Sequence, residues 1–146
     1  MVLNKDFREF IELLNKNHVK YLVVGGYALA FHGYPRYTKD IDLWLWINRE
    51  NAENVINTLH EFGFSSLDLK IEDFLKPNYV IQLGNPPSRI DLLTSLAGVD
   101  FEVCYSSKME LNVEGILVSF IDLENLKKNK KAAGRLQDLA DLENLK

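Results

Sequence analysis

Apolar positions fall at two periods along the chain. Leu3, Phe7, Phe10, Ile11 and Leu14 recur at helical spacing and predict an amphipathic helix over Leu3–Asn15, ended by Asn17 and His18. Tyr21–Val24 is apolar on both sides and carries β-branched Val23 and Val24, which predicts a buried central strand. A short helix over Tyr27–His32 follows, stopped by Gly33 and Pro35. The alternation then changes to period two. Ile41, Leu43, Leu45 and Ile47 share one face of a strand over Asp40–Ile47, with Asp40, Asp42, Trp44 and Trp46 on the other. Val55, Ile56, Leu59 and Phe62 predict a helix over Asn51–Phe62 that crosses the sheet and ends at Gly63.

Further on, Phe64–Ile71 and Tyr79–Leu83 alternate as short strands, and Pro86-Pro87 makes a turn. Arg89–Leu93 reads as a strand with an acid, Asp91, inside an apolar run. Ser95–Glu110 carries no clear period. Leu111–Val113 and Ile116–Phe120 pair as a hairpin across Glu114-Gly115. Asp122 is an N-cap for a helix from Leu123, Gly134 breaks it, and a last helix from Leu136 sets Leu139, Leu142 and Leu145 on one side. Strands interleaved with helices make this an α/β chain: a mixed twisted sheet with flanking helices. No linker, repeat or low-complexity tract interrupts it, so residues 1–146 are expected to be a single domain with a helical segment at about 122–146.

Composition narrows the picture. Of 146 residues, 47% are hydrophobic, enough for a real core. The formal net charge of −4 argues against broad nucleic-acid binding driven by charge, without excluding a local basic groove. The single cysteine, Cys104, can form neither an internal disulfide nor a zinc framework and reads as a buried small hydrophobe. No signal peptide and no apolar run of membrane-spanning length is present, so a cytoplasmic location is expected.

Chemistry concentrates between Gly25 and Leu45. Asp40 and Asp42 lie two apart on a strand, on one face, ~6.5 Å between their origins. Acids on a mostly buried face are costly unless paired or bound to metal. Oxygen donors at that spacing suit Mg²⁺, and Asp91 on a neighbouring strand would bring a third carboxylate within reach. Arg89 shares Asp91's face, where an ion pair between them would compete with a metal role. Gly25-Gly26 follows a buried strand and opens a helix, the setting of an anion site. It is neither a Walker loop nor a G-x-G-x-x-G fingerprint. His32 reads as a satisfied core residue, and Trp44, Trp46 and the tyrosines as packing rather than as base-stacking platforms. Lys127 and Lys128 read as solvated charges near a helix end.

Gly25-Gly26, thirteen residues, then Asp40-Ile41-Asp42-Leu43 resembles the signature of the beta-type DNA polymerase superfamily of nucleotidyltransferases. Arg36-Tyr37-Thr38-Lys39 before the acids is similar to the R-x-T-x-D-x-D variant of small bacterial members near the abortive-infection toxin nucleotidyltransferases. The tail from Asn129 through Gly134-Arg135 to Asp138 and Asp141 resembles the closing N-K-x-x-x-G-R-x-x-D-x-x-D motif of that group. The resemblance implies transfer of a nucleoside monophosphate from an NTP, such as ATP, to an acceptor hydroxyl. Asp40, Asp42 and Asp91 would hold two Mg²⁺ ions, and Asp91 would help to activate the acceptor. Gly25 and Gly26 would seat phosphates, Lys130 would approach the triphosphate, and Arg36, Thr38, Arg135 and Asp138 would complete the nucleotide site. The chain departs from many relatives in carrying Gly26 where they have Ser, and Leu136 where they have Pro. The acceptor stays open among RNA, protein and small molecule. A toxin–antitoxin setting with a cognate antitoxin or helical partner is a further implication. The alternative is an inactive nucleotide- or partner-binding module of the same fold.

Overall fold

The computed structural model describes residues 3–34, 38–64, 67–84 and 88–145. The elements run α1 (Lys5–Lys16), β1 (Tyr21–Val24), α2 (Gly25–Phe31), β2 (Ile41–Leu45), α3 (Arg49–Phe62), a 3₁₀ turn (Ile71–Phe74), β3 (Val80–Leu83), β4 (Ile90–Leu93), α4 (Phe101–Ser106), β5 (Met109–Val113), β6 (Ile116–Phe120), α5 (Leu123–Ala133) and α6 (Leu136–Asn144). This is a mixed α/β architecture. Its six strands lie in the order β3-β4-β2-β1-β6-β5. β1 runs antiparallel to β2 and parallel to β6, and β2 runs parallel to β4. The edge strands β3 and β5 pair antiparallel with β4 and β6.

β1 is buried at all four positions, as an apolar run without alternation demands of a central strand. Asn4, Asn48, Asp100 and Asp122 each cap a helix by accepting from a backbone N–H three residues on. α1 and α3 pack together through the edge-to-face pair Phe10–Phe62. Buried Asn51 accepts from the Lys20 N–H and donates to the Lys20 and Trp46 carbonyls, tying the start of β1 to the end of β2. His32 is satisfied: its Nε2 lies 2.7 Å from the Ile121 carbonyl. Cys104 is buried, and burial pushes its thiol up to about 11, so it stays a neutral hydrophobe.

Two expectations change. Residues 67–70 form no strand and lead into the 3₁₀ turn. The Asp73 carboxylate accepts from the Lys70 N–H there, a local turn bond that alternation of side chains does not reveal. The stretch without a period holds α4, too short to repeat a helical pattern. The last helix starts at Leu136 as expected; its buried positions are Asp138, Asp141 and, at its end, Leu145, while Leu136 is 89% exposed. The buried charges are matched by charge, as described below. The turn assigned to Pro86-Pro87 lies outside the described residues, as does Arg36.

Candidate functional site

Parallel pairing of β2 with β4 sets Asp42 directly beside Asp91, and antiparallel pairing with β1 sets Val24 on its other flank. Adjacent strands lie ~4.8 Å apart, so the two carboxylates face one another at close range. Asp40 precedes β2. The three acids foreseen from their spacing therefore gather at one end of the sheet. Asp42 makes no hydrogen bond or ion pair among the described residues. Burial, then the Asp91 and Asp40 charges, push its carboxyl from 3.8 up to about 6, against the pull of Lys130 and Arg89.

Arg89 decides how the other two acids are held. Its Nε donates to one oxygen of Asp91 at 2.7 Å and a terminal nitrogen to the other at 3.1 Å. The guanidinium also lies 3.1 Å from Asp40, and the Arg89 backbone N–H donates to Asp40 at 3.2 Å. The foreseen ion pair exists and extends to a second carboxylate. Among the described residues, no group of three His, Cys, Asp or Glu side chains is arranged to hold a metal ion as it stands. The donor chemistry nonetheless suits a hard divalent cation: oxygen ligands only, one of them unpartnered and short of positive charge. Taking an ion there would exchange part of the Arg89 pairing for metal–oxygen bonds.

Gly25 begins α2 with φ +68°, a left-handed conformation that disfavours a side chain. A Cβ at this position would collide with the Asp42 carboxylate. Glycine is thus what allows the backbone to approach the acid. At Gly26 a Cβ would stand 3.0 Å from Cβ of Thr38, whose hydroxyl donates to the Asp40 carbonyl at 3.1 Å. Thr38 fills the space that a serine at position 26 would need, which gives the departure at Gly26 a steric reason.

A cleft of about 360 Å³ joins these parts, lined by Gly25, Asp42 and Asp91 on the sheet side and by Asn129, Lys130 and Arg135 on the helix side. α5 reaches this position because Gly98 lets the 95–100 segment lie flush on it; a Cβ there would strike Ala132. The Asn129 amide donates to the Ala97 carbonyl at 3.1 Å. Lys130 is only 4% exposed and is held by Asp141 at 3.1 Å and Asp138 at 3.4 Å. It lines the cleft with its charge already partnered. Burial opposes ionisation of Asp138 most, yet the Arg135 hydrogen bond and the Lys130 charge outweigh it and hold its carboxyl below the usual range. Arg135 is anchored to Asp138 by a 2.7 Å bond while its side chain stays 78% exposed. It is the open cation of the cleft, and its link to Asp138 orients it.

Asp42, Asp91, Gly25, Lys130 and Arg135 thus border one cavity, with Asp40 and Asp138 holding residues that line it. Thr38 sits behind Gly26 and does not line the cleft. Sequence reasoning missed Ser95, Leu96 and Ala97, which supply one wall. Their only signal is position, immediately after the strand that carries Asp91.

No family model matches the chain, and no curated protein sequence matches it. Solved structures do. A provisionally assigned nucleotidyltransferase from Thermotoga maritima, TM1012, superposes with TM-score 0.66 at 18% identity, over 94% of this chain and 88% of that one. The lincosamide antibiotic adenylyltransferase LnuA, solved with lincomycin bound, superposes with TM-score 0.62 at 16% identity, over 99% and 96% of the two chains. At such identities the likeness establishes the fold: the chain has the fold of nucleotidyltransferases.

Proposed function

We propose that this protein is a nucleotidyltransferase that moves the nucleoside monophosphate of an NTP onto an acceptor hydroxyl. One observation carries the reading. Carboxylates from two strands, a side-chain-free turn and an exposed arginine border a single cleft on a fold shared with an adenylyltransferase. The superposition spans nearly all of both chains, which supports residues 1–146 acting as one transferase unit.

The parts divide the work as follows. Arg135 and the backbone at Gly25 take phosphate oxygens; Gly26 is buried under Thr38 and does not line the cleft. Asp42 and Asp91, with Asp40, would hold Mg²⁺, which when bound would neutralise charge on the phosphates. Asp91 receives the proton of the acceptor hydroxyl. The acceptor oxygen forms a bond to the α-phosphorus, and the bond from that phosphorus to the bridging oxygen breaks. Pyrophosphate leaves with the electron pair. Lys130 holds Asp138, and through it Arg135, in register for the departing phosphates. Positioning and charge supply the rate, and no covalent protein intermediate is needed.

ATP is the donor we favour and a small molecule the acceptor, both by analogy with LnuA. From the family resemblance we also infer a cytoplasmic protein of a toxin–antitoxin or defence setting with a helical partner; co-purification with the product of an adjacent gene tests that inference. The deciding experiment offers cell extract and α-labelled or γ-labelled ATP with Mg²⁺. Label should pass from the α position only, and Asp42→Asn should abolish it. Transfer that survives this substitution would refute the site.

One observation favours a second reading, a nucleotide-binding module without turnover. Arg89 already satisfies Asp40 and Asp91 as a metal would. Protection from thermal unfolding by ATP and Mg²⁺, with no transfer to any fraction of the extract, would select it.

A further inference from the structure

Strand β5 closes one side of the sheet and pairs only with β6 among the described residues. It is exposed from Met109 to Asn112, and two of these side chains are large and apolar: Met109 is 46% exposed and Leu111 37%. Both point to the face on which their cross-strand neighbours, Phe120 and Val118, are fully buried. They form the outer margin of the core, left open to water. An uncovered edge strand with an apolar side is a template for another strand.

The hairpin decides which backbone groups of β5 are free. Glu114 and Gly115 make a two-residue turn with φ of +51° and +91°, so the flanking pair Val113–Ile116 is a hydrogen-bonded one. Bonded and unbonded pairs then alternate. Val113, Leu111 and Met109 spend their N–H and C=O groups on β6, whereas Asn112 and Glu110 turn theirs outward. A second strand must match this phase, so the available registers differ by steps of two residues. Charge chooses among them for an antiparallel second copy of β5. With Leu111 opposite the partner's Leu111, Met109 meets the partner's Val113, Glu110 meets the partner's Asn112, and Lys108 meets the partner's Glu114. A slide of two residues one way sets Glu110 against the partner's Glu110, and the other way against the partner's Glu114. Like charges directly opposite destabilise a strand pair. Within the chain Lys108 and Glu114 are held only at a distance, 3.8 Å from Glu110 and 3.5 Å from Arg8, and can take a further partner.

The geometry points to a two-fold dimer in which β5 pairs with β5 of a second copy, with Leu111 on the axis and the two sheets joined as one. Met109, Leu111 and Val113 of both copies form one apolar row across the junction. Glu110 and Asn112 exchange N–H···O bonds with the partner's Asn112 and Glu110. The edge is its own complement, as an isologous contact requires, so assembly stops at two. Joining β5 to β3 of another copy would instead be head-to-tail and open-ended. A contact of one short strand is small, so association depends on concentration. β5 lies three strands from β2, which leaves the carboxylate cleft open and makes the dimer independent of the transfer reading.

Sedimentation velocity across ~1–500 µM protein should show a monomer–dimer equilibrium and nothing larger. Leu111→Lys sets two ammonium groups face to face on the axis, at an exposed position, and should weaken association about tenfold or more while the melt of the dilute monomer stays unchanged. Asn112→Lys meets the partner's Glu110 in this register alone and should tighten the dimer. In the two shifted registers it would meet the partner's Lys108 or its own counterpart, and would loosen it. Single cysteines read the register directly, because Cα atoms of an unbonded antiparallel pair lie ~4.5 Å apart, within disulfide reach. Under mild oxidation Leu111→Cys should cross-link to itself. Met109→Cys should cross-link to Val113→Cys and not to itself, and buried Cys104 should stay free. A monomer over the whole range overturns the inference. So do species beyond a dimer, which would join β5 to β3. Loosening by Asn112→Lys, or a Met109→Cys self-cross-link in preference to that of Leu111→Cys, overturns the register and with it the proposed interface.

Discussion

Asp42→Asn should make the protein more stable while removing transfer. The Asp42 carboxyl, ordinarily at 3.8, stands at about 6 because it is buried beside Asp91 and Asp40. A carboxylate whose value is raised on folding binds its proton more tightly in the native state. Stability contributed by that proton is complete below about 4 and is lost as pH climbs through 6. Each pH unit between the two values is worth ~1.4 kcal/mol, so the ionised group costs the fold ~3 kcal/mol, or ~2 kcal/mol after screening at a partly open site. Asparagine keeps the shape and has no charge to desolvate. At pH 8 the variant should gain about 2 kcal/mol, a rise in Tm of ~4–8 °C for a chain of this size. Near pH 3, below the unfolded value of 3.8, the difference should shrink to nearly nothing. Urea denaturation of both proteins across that range, free of divalent ions, measures it. A variant equal to or weaker than wild type at pH 8, or a gain that does not change with pH, refutes the electrostatic account.

The opposite sign is expected for Arg89→Gln, which strips two carboxylates of their shared partner. It should destabilise the protein at pH 8, read by the same denaturation curves. Gly25→Ala puts a Cβ on the Asp42 carboxylate at a left-handed φ and should cost ~2 kcal/mol or more. A double-mutant cycle should recover part of that cost in an Asp42→Ala background. On α6, Asp138→Ala leaves buried Lys130 and Arg135 short of their acid and should cost ~3–5 kcal/mol, whereas exposed Leu139→Ala should fall within ~0.5 kcal/mol of wild type, both by thermal melts.

That last contrast marks where the sequence is legible and where it is not. Strands and long helices announce themselves by period, and β1, β2, β4, the β5–β6 hairpin, α1 and α3 follow from it within a few residues. The meeting of Asp42 with Asp91 was readable because both sit inside apolar runs, where only a paired or ligating acid is tolerated. α6 was expected from its leucines, but its buried Asp138 and Asp141 could not be read from a local pattern, because their partner, Lys130, comes from α5. The 95–100 wall has neither period nor motif. Its place is fixed by the close approach of Gly98 to Ala132 and by the Asn129 hydrogen bond, contacts across more than thirty residues that no local pattern encodes. The tryptophans read as packing, and Trp44 does pack on Phe101, but its unmatched N–H appears only once every neighbour is placed.

Charge at the cleft is unbalanced. Asp40, Asp42, Asp91, Asp138 and Asp141 bring five negative charges, and Arg89, Lys130 and Arg135 bring three positive ones. The shortfall is two, the charge of one divalent cation: one from Asp42, which has no hydrogen-bond or ion-pair partner among the described residues, and one from Asp40 and Asp91, which share the single Arg89. The protein answers the first by holding a proton on Asp42 at mildly acid pH. Mg²⁺ bound at this acid must expel that proton, because the ion favours the charged carboxylate. Near pH 6 Asp42 is half protonated, so binding should release ~0.5 proton; at pH 8 the group is already ionised and release should be close to zero. Calorimetric titration with Mg²⁺ in two buffers of different ionisation enthalpy counts the protons directly. Release in wild type at pH 6 that vanishes in Asp42→Asn supports Asp42 as the ligand that completes the site. Binding without release at pH 6 would place the ion elsewhere, and with it the chemistry assigned to these carboxylates.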